Sequence, residues 1–211
     1  MSKKIAIVNY DVGNLFSLFK AIEAIGYEPI LVENSAKLKN YGKVILPGVG
    51  SFDTCYNVLL RKNFISEILS FIDSGKNLMG ICVGMQLLFT RGFEGQGAPG
   101  LGIINGKVRE IINNTSHLDF KLPHIGWNSI KFNNAKNKGL FTNLDEDSEF
   151  YFVHSYCANS LQDNDLVVGT SDYLGNSIIG YIEKNNVFGC QFHPEKSRKN
   201  GLDLLRKFAQ C

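Results

Sequence analysis

Apolar positions follow two rhythms along this chain. Lys4-Ile-Ala-Ile-Val-Asn9 is a short continuous apolar run, the pattern of a strand buried on both faces. Leu15, Leu18, Phe19, Ile22 and Ile25 then recur at helical spacing, and Gly26 marks the end of that helix. Glu28-Pro-Ile-Leu-Val32 reads as a second strand, with Pro29 placing it at an edge or at a strand start. Lys43-Val-Ile-Leu46 reads as a third, ending in Pro47-Gly-Val-Gly50. Phe64 to Asp73 is helical, with Ile65, Ile68, Leu69 and Ile72 on one face. Leu78, Met79 and Ile81 form a fourth short strand, followed by a sharp turn at Cys82 and a helix entered at about Gly84. Strands alternating with helices over the first ninety residues imply an α/β fold with a doubly wound parallel sheet.

The second half changes rhythm. Arg91 to Gly102 reads as a glycine-rich loop, and Asn133 to Lys138 as a polar turn. Lys107–Ile112, Asn128–Phe132, Glu149–Val153, Val167–Thr170, Ser177–Ile182 and Val187–Gln191 are closely spaced strand candidates. Such spacing implies antiparallel pairing or extension of the sheet. Gly201 to Gln210 closes the chain as a helix that buries Leu202, Leu205 and Phe208.

A length of 211 residues suits one domain, 1–211, and composition is that of an ordinary globular protein, with 44% hydrophobic and 20% charged residues. A net charge of +2 implies no strong field for nucleic acid or membrane. Neither a secretory signal nor an apolar run of transmembrane length is read in the sequence. The five cysteines are scattered and form no Cys-x-x-Cys pair, so neither a disulfide framework nor a metal site is expected, and a reducing cytoplasm is.

Chemistry concentrates at Cys82. Gly80 and Gly84 stand two residues to either side, on a strand-to-helix turn, as in a nucleophile elbow with cysteine in the place of serine. A thiol there sits at a sheet's carboxyl edge and at a helix N-terminus, which favours the reactive thiolate. Alone, the same cysteine reads equally as a small buried hydrophobe. A thiolate nucleophile needs a base that can also return a proton. Of His117, His124, His154 and His193, the last has the best context, in Gln191-Phe-His-Pro-Glu-Lys-Ser197. Pro194 biases His193 toward an extended backbone, where residues two apart point the same way and Glu195 would orient the imidazole. Pro47-Gly-Val-Gly50 can present N–H groups to a developing oxyanion, with Val83 supplying another. His154 reads as packed rather than catalytic, and Trp127 as a core or a partner-surface residue.

Several stretches together resemble the class I (triad) glutamine amidotransferases. They are Val12-Gly-Asn14, Leu46–Gly50, Gly80–Phe89, Gly100-Leu-Gly102, Pro123–Asn128, Tyr151–Tyr156 and Gln191–Ser197, in family order over nearly the whole chain. More narrowly they resemble the glutaminase subunits of imidazole glycerol phosphate synthases. The resemblance implies a flavodoxin-like, mostly parallel sheet with added antiparallel strands. It implies Cys82 as nucleophile, His193 as acid/base and Glu195 as its orienter, with Val49, Gly50 and Val83 forming the oxyanion hole. Gln86, Ser155 and Tyr156, with Gly50, match glutamine-holding positions. Asn14, Trp127, Tyr151 and Lys196 match positions facing a separate (β/α)8-barrel cyclase that receives ammonia and makes imidazole glycerol phosphate in histidine biosynthesis. No cofactor and no metal are implied. Two departures, Asn9-Tyr-Asp-Val-Gly-Asn14 in the first loop and Cys157 after Tyr156, fall near the expected partner face. A paralogous subunit feeding a sugar-modifying synthase therefore stays open at this stage.

Overall fold

The computed structural model describes residues 3–11, 15–112, 120–132, 139–145, 147–159 and 161–211. Asn14 with the rest of Val12-Gly-Asn14, the polar turn at Asn133–Lys138 and His117 lie outside the described residues.

In chain order the elements begin β1 (Lys4–Val8), α1 (Leu15–Ala24), β2 (Glu28–Val32), β3 (Lys43–Leu46), α2 (Phe52–Arg61), α3 (Phe64–Asp73), β4 (Asn77–Ile81) and α4 (Val83–Gln86). Then come β5 (Phe89–Gly92), β6 (Ala98–Pro99), β7 (Ile104–Glu110), β8 (His124–Ser129) and β9 (Lys131–Phe132). The chain finishes with β10 (Glu149–His154), β11 (Tyr156–Asn159), β12 (Val167–Tyr173), β13 (Asn176–Lys184), β14 (Val187–Cys190) and α5 (Arg198–Gln210).

The main sheet has the order β2-β1-β3-β4-β14-β13-β12-β9. From β2 to β14 the strands pair in parallel, and β13, β12 and β9 extend the sheet antiparallel. Helical crossovers cannot close between strands as tightly spaced as β12 to β14, so they pair as hairpins. The parallel half is flavodoxin-like, and in such sheets ligands gather at the carboxyl ends of the strands. β1, β3 and β4 are apolar and buried almost throughout, as strands covered on both faces must be. Pro29 sits in the edge strand β2, where a missing N–H costs no ladder bond. Two smaller sheets, β10-β8 and β11-β7-β5-β6, lie outside the main one.

Two local expectations need correction, and one element's length is set by a distant part of the chain. The helix after Cys82 is one turn long, because the carbonyls that would continue it are taken by a later loop: Leu101 N–H donates to Leu87 O at 2.7 Å, and Ile103 N–H to Leu88 O at 2.9 Å. The glycine-rich stretch from Arg91 to Gly102 carries β5's end and β6 rather than being all loop. The run Asn128–Phe132 is broken at Ile130, with β8 starting earlier, at His124. In addition, α2 is a helix the periodicity did not announce: only Phe52, Cys55 and Leu59 bury, among poor helix formers such as Asp53, Thr54 and Asn57.

Candidate active site

Cys82 follows the last residue of β4 with φ 53° and ψ −113°, a backbone conformation few residues other than glycine adopt. Such strain persists only where the surroundings fix the chain. Here Cys82 N–H donates to Cys190 O of β14 at 2.8 Å, and Gln86 N–H donates to Cys82 O at 3.1 Å. A Cβ at Gly84 would lie 1.9 Å from the Leu46 carbonyl oxygen, so only glycine lets the elbow seat against the end of β3.

β14 runs parallel beside β4 and delivers Gln191-Phe-His193 to the same edge. His193 N–H donates to Tyr151 O at 2.9 Å, and Ser197 Oγ donates to His193 O at 2.6 Å, which fixes the backbone under the ring. The ring donates Nδ1–H to Glu195 Oε1 at 2.8 Å, with both side chains buried. His193 is extended as expected, with φ −100° and ψ 96°, but the chain does not continue so: Pro194–Lys196 is a 3-10 turn, and its tight rise returns Glu195 toward His193. Burial draws the His193 pKa down. Hydrogen bonding and charge attraction to Cys82, and then to Glu195, outweigh it and push the pKa up to about 10. The ring is therefore held as a proton donor facing the thiol. Gln191 Nε2 stands 3.8 Å from Cys82 Sγ.

The Pro47–Gly50 loop joins β3 to α2 on the other side of the thiol. Tyr10 Oη donates to Pro47 O at 2.8 Å and Cys55 Sγ to Val49 O at 3.6 Å, while Gly50 has φ +99°. Val49, Gly50, Cys82, Val83 and His193 line one cavity of about 240 Å³. Gln86, Ser155 and Tyr156 line the same cavity. Gln86 Nε2 donates to Tyr156 O at 2.9 Å and to Gln191 Oε1 at 3.0 Å, whereas its buried Oε1 has no partner among the described residues.

Two groups were missed in the sequence. Glu94 also lines the cavity, its Oε2 accepting from Phe52 N–H at 2.8 Å, and burial raises its pKa. A lone carboxylate in a glycine-rich loop carries no pattern that would single it out. Gln191 had a readable signal: it lies two residues before His193 at a strand end, on the same side of the chain.

Of the expected partner-facing residues, Trp127 and Tyr151 lie outside the cavity. They pair across β8 and β10, ring centroids 5.7 Å apart. Arg198 lies over Trp127 at 4.7 Å, and Lys196, at the cavity mouth, lies 6.0 Å from the Tyr151 ring. Among the described residues no cluster fit to hold a metal ion occurs, and no helix is long and apolar enough to cross a membrane.

Cys82 and the His193–Glu195 pair thus meet at the carboxyl edge of the sheet, where Cys82 and His193 share one cavity. The family model described as "Glutamine amidotransferase class-I" matches residues 6–210, and the chain belongs to that family. Solved structures agree on the fold. A glutamine amidotransferase superposes with TM-score 0.73 at 17% identity, covering 98% of this chain and 99% of the other. PurLQS from Thermotoga maritima does so with TM-score 0.70 at 24% identity, covering 100% and 99%. Curated relatives narrow the family. The imidazole glycerol phosphate synthase subunit HisH of Chlorobium chlorochromatii (strain CaD3) is 40% identical over 97% of this chain and 98% of its own. That of Bacillus cereus (strain G9842) is 39% identical over 97% and 93%. At such identity over nearly the whole length, the narrower family is that of these HisH subunits.

Proposed function

We infer that this chain is the glutaminase subunit of an imidazole glycerol phosphate synthase in histidine biosynthesis, one amidotransferase unit over residues 1–211. It hydrolyses glutamine to glutamate and ammonia and passes the ammonia to a (β/α)8-barrel cyclase subunit. The observation that carries the reading is the strained Cys82 thiol facing His193, whose far nitrogen is bound by Glu195 at 2.8 Å. Its five cysteines are unpaired, which fits a reducing cytoplasm.

The Cys82 thiolate attacks the side-chain carboxamide carbon of glutamine, and its oxygen takes the negative charge. N–H groups of Gly50 and Val83 stabilise that oxyanion, the Val49–Gly50 peptide being the adjustable one. His193, held as an imidazolium, gives its proton to the departing nitrogen, and ammonia leaves with a glutamyl thioester behind. Neutral His193 then draws a proton from water, which attacks the thioester and frees glutamate and the thiolate. Glu195 keeps the imidazole oriented and stabilises its charged form. In the cavity Gln86 lines the substrate's side, and the substrate's α-ammonium group meets the Glu94 carboxylate. Ser155 and Tyr156 close the wall. Asn14, Trp127, Tyr151 and Lys196 face the cyclase.

The test is ammonia release from glutamine by the purified chain, alone and with a barrel cyclase subunit and its nucleotide. Cys82→Ser and His193→Ala are expected to abolish partner-stimulated release, and Glu195→Ala to reduce it less. Retained release in Cys82→Ser overturns the assignment.

A further inference from the structure

His124 and His154 do no work in that mechanism, yet His154 lines the same cavity and His124 is in ring-to-ring contact with His154. They are opposed residues of β8 and β10, both buried. His124 Nδ1 lies 3.1 Å from His154 Nε2. The other nitrogen of each ring faces an oxygen: His154 Nδ1 to Tyr156 O at 2.9 Å, and His124 Nε2 to Asn128 Oδ1 at 2.9 Å. The Asn128 amide cannot be turned round, because its Nδ2 donates to the carbonyl oxygen of Asp172 at 2.8 Å. Both ends of the chain are thus acceptors, and each demands an N–H from the ring it faces. The ring-to-ring contact demands a third proton between its two nitrogens. Two neutral imidazoles carry only two such protons between them. Any neutral pair leaves one of these three contacts with lone pair facing lone pair.

The aromatic surroundings indicate where an additional proton rests. His124 is stacked between Tyr173, with ring centroids 4.1 Å apart at 25°, and Phe152, 5.0 Å apart at 19°. Ring faces of this kind attract a cation. His154 has no such sandwich; its burial holds its pKa down at about 3, so it accepts rather than carries the proton. Burial also lowers the His124 pKa, and the hydrogen bond to Asn128 offsets only part of that. The two aromatic faces and the lone pair of His154 add to the opposing side.

The far end of this chain reaches the nucleophile. Tyr156 O, fixed by His154, accepts from Gln86 Nε2; Gln86 Nε2 also donates to Gln191 Oε1; Gln191 Nε2 reaches Cys82 Sγ. We propose that His124 and His154 form a positioning pair that holds one proton more than two neutral imidazoles, and that this proton locks the Tyr156 carbonyl, and through it Gln86 and Gln191, against the glutamine pocket. The proton count rests on geometry alone; its consequence for glutamine rests on the glutaminase reading above. Charged and titratable groups facing the pair are His193 from the end of β14, which opposes a cation on His154. Tyr156 of β11 stands next to it, with Glu110 of β7 paired to Tyr156. Asp172 of β12 has its carboxylate occupied by Gly175 N–H at 3.2 Å, and Lys121, ahead of β8, accepts the Tyr173 hydroxyl on its carbonyl at 2.6 Å.

Two measurements test this. The first is the 15N chemical shifts of the histidine rings in the intact chain at pH 7, with His124→Phe giving the assignment. The expected result is both nitrogens of His124 protonated, only Nδ1 of His154 protonated, and a His124 titration midpoint above the roughly 6.5 of a free histidine. Two neutral rings at pH 7 overturn the proposal, whatever the activity. The second is glutaminase kinetics of the complex with the cyclase. His124→Phe keeps the stack and removes the proton; KM for glutamine is expected to rise about tenfold with kcat within threefold. In the wild type KM rises as pH passes the His124 midpoint, a step absent from the variant, whereas loss of the His193 proton is read in kcat. An unchanged KM and an unchanged KM–pH curve in His124→Phe overturn the positioning role.

Discussion

His193 binds its proton more tightly in the folded chain than an unfolded histidine would, and that difference is a stability statement. Burial pulls its pKa down, but Cys82 and then Glu195 push it up to about 10, against roughly 6.5 unfolded. The resulting stabilisation is complete below about pH 6.5 and disappears as pH rises through about 10. Cys82→Ala removes the largest upward influence, so the fall in urea-unfolding free energy between pH 7 and pH 10 is expected to shrink in that variant. Identical pH dependence in variant and wild type would show that the thiol does not hold the proton. Tyr10 offers a second test on the opposite side of the thiol. Its buried hydroxyl is the donor to Pro47 O, and burial lifts its pKa far above the usual range, so it stays a neutral donor. Tyr10→Phe leaves that carbonyl short of a partner and is expected to cost about 1–3 kcal/mol. Equilibrium urea unfolding measures it, and a loss below about 0.3 kcal/mol would mean that another donor reaches Pro47 O.

The elements explain what could and could not be read from the sequence. β1, β3 and β4 were legible because strands covered on both faces leave unbroken apolar runs, and α1, α3 and α5 because one face of each buries. α2 was not, since its buried positions are few and its other residues favour turns. α4 was legible as a helix entered at the turn, but its length was not: Leu87, Leu88 and Phe89 continue an apolar pattern, and a later loop takes their carbonyls, a tertiary choice no local pattern records. Glu195 was read correctly beside His193: the extended backbone expected at His193 is there, and the 3-10 turn that follows, not further extended chain, returns the carboxylate to the ring. Glu94 was invisible because only the folding of β5 and β6 against α2 carries it to the cavity. The glycine at position 84 was legible as a turn residue, but its reason is tertiary: the elbow presses on the Leu46 carbonyl. Gly84→Ala therefore strains two elements at once. A loss of about 1–3 kcal/mol in urea unfolding is expected, together with loss of partner-stimulated ammonia release as Cys82 shifts. Wild-type stability in this variant would contradict the close approach of α4 to β3.

For the whole molecule the decisive juxtaposition is between the cavity and the aromatic–basic patch at its mouth. Lys196 belongs to both, since it lines the cavity and lies over Tyr151. β8 and β10 bring Trp127 against Tyr151, and the turn after His193 brings Arg198 over Trp127, so sequence-distant residues form one surface beside the thiol. Trp, Tyr and Arg are the residue types that dominate binding energy when an interface closes over them, and rim charges act more on encounter than on residence. A subunit whose ammonia must cross to a partner needs that interface next to the nucleophile, because ammonia released to water is lost to the acceptor. Trp127→Ala is accordingly expected to weaken binding of the cyclase subunit by about 2 kcal/mol or more, roughly thirtyfold in Kd. Lys196→Ala is expected to change mainly the association rate and its dependence on salt. Calorimetric titration and stopped-flow association measure the two, with urea unfolding of each variant as the check that the chain itself is intact. A Trp127→Ala chain that folds normally and binds the cyclase with wild-type affinity would move the docking surface away from this patch, and the ammonia path with it.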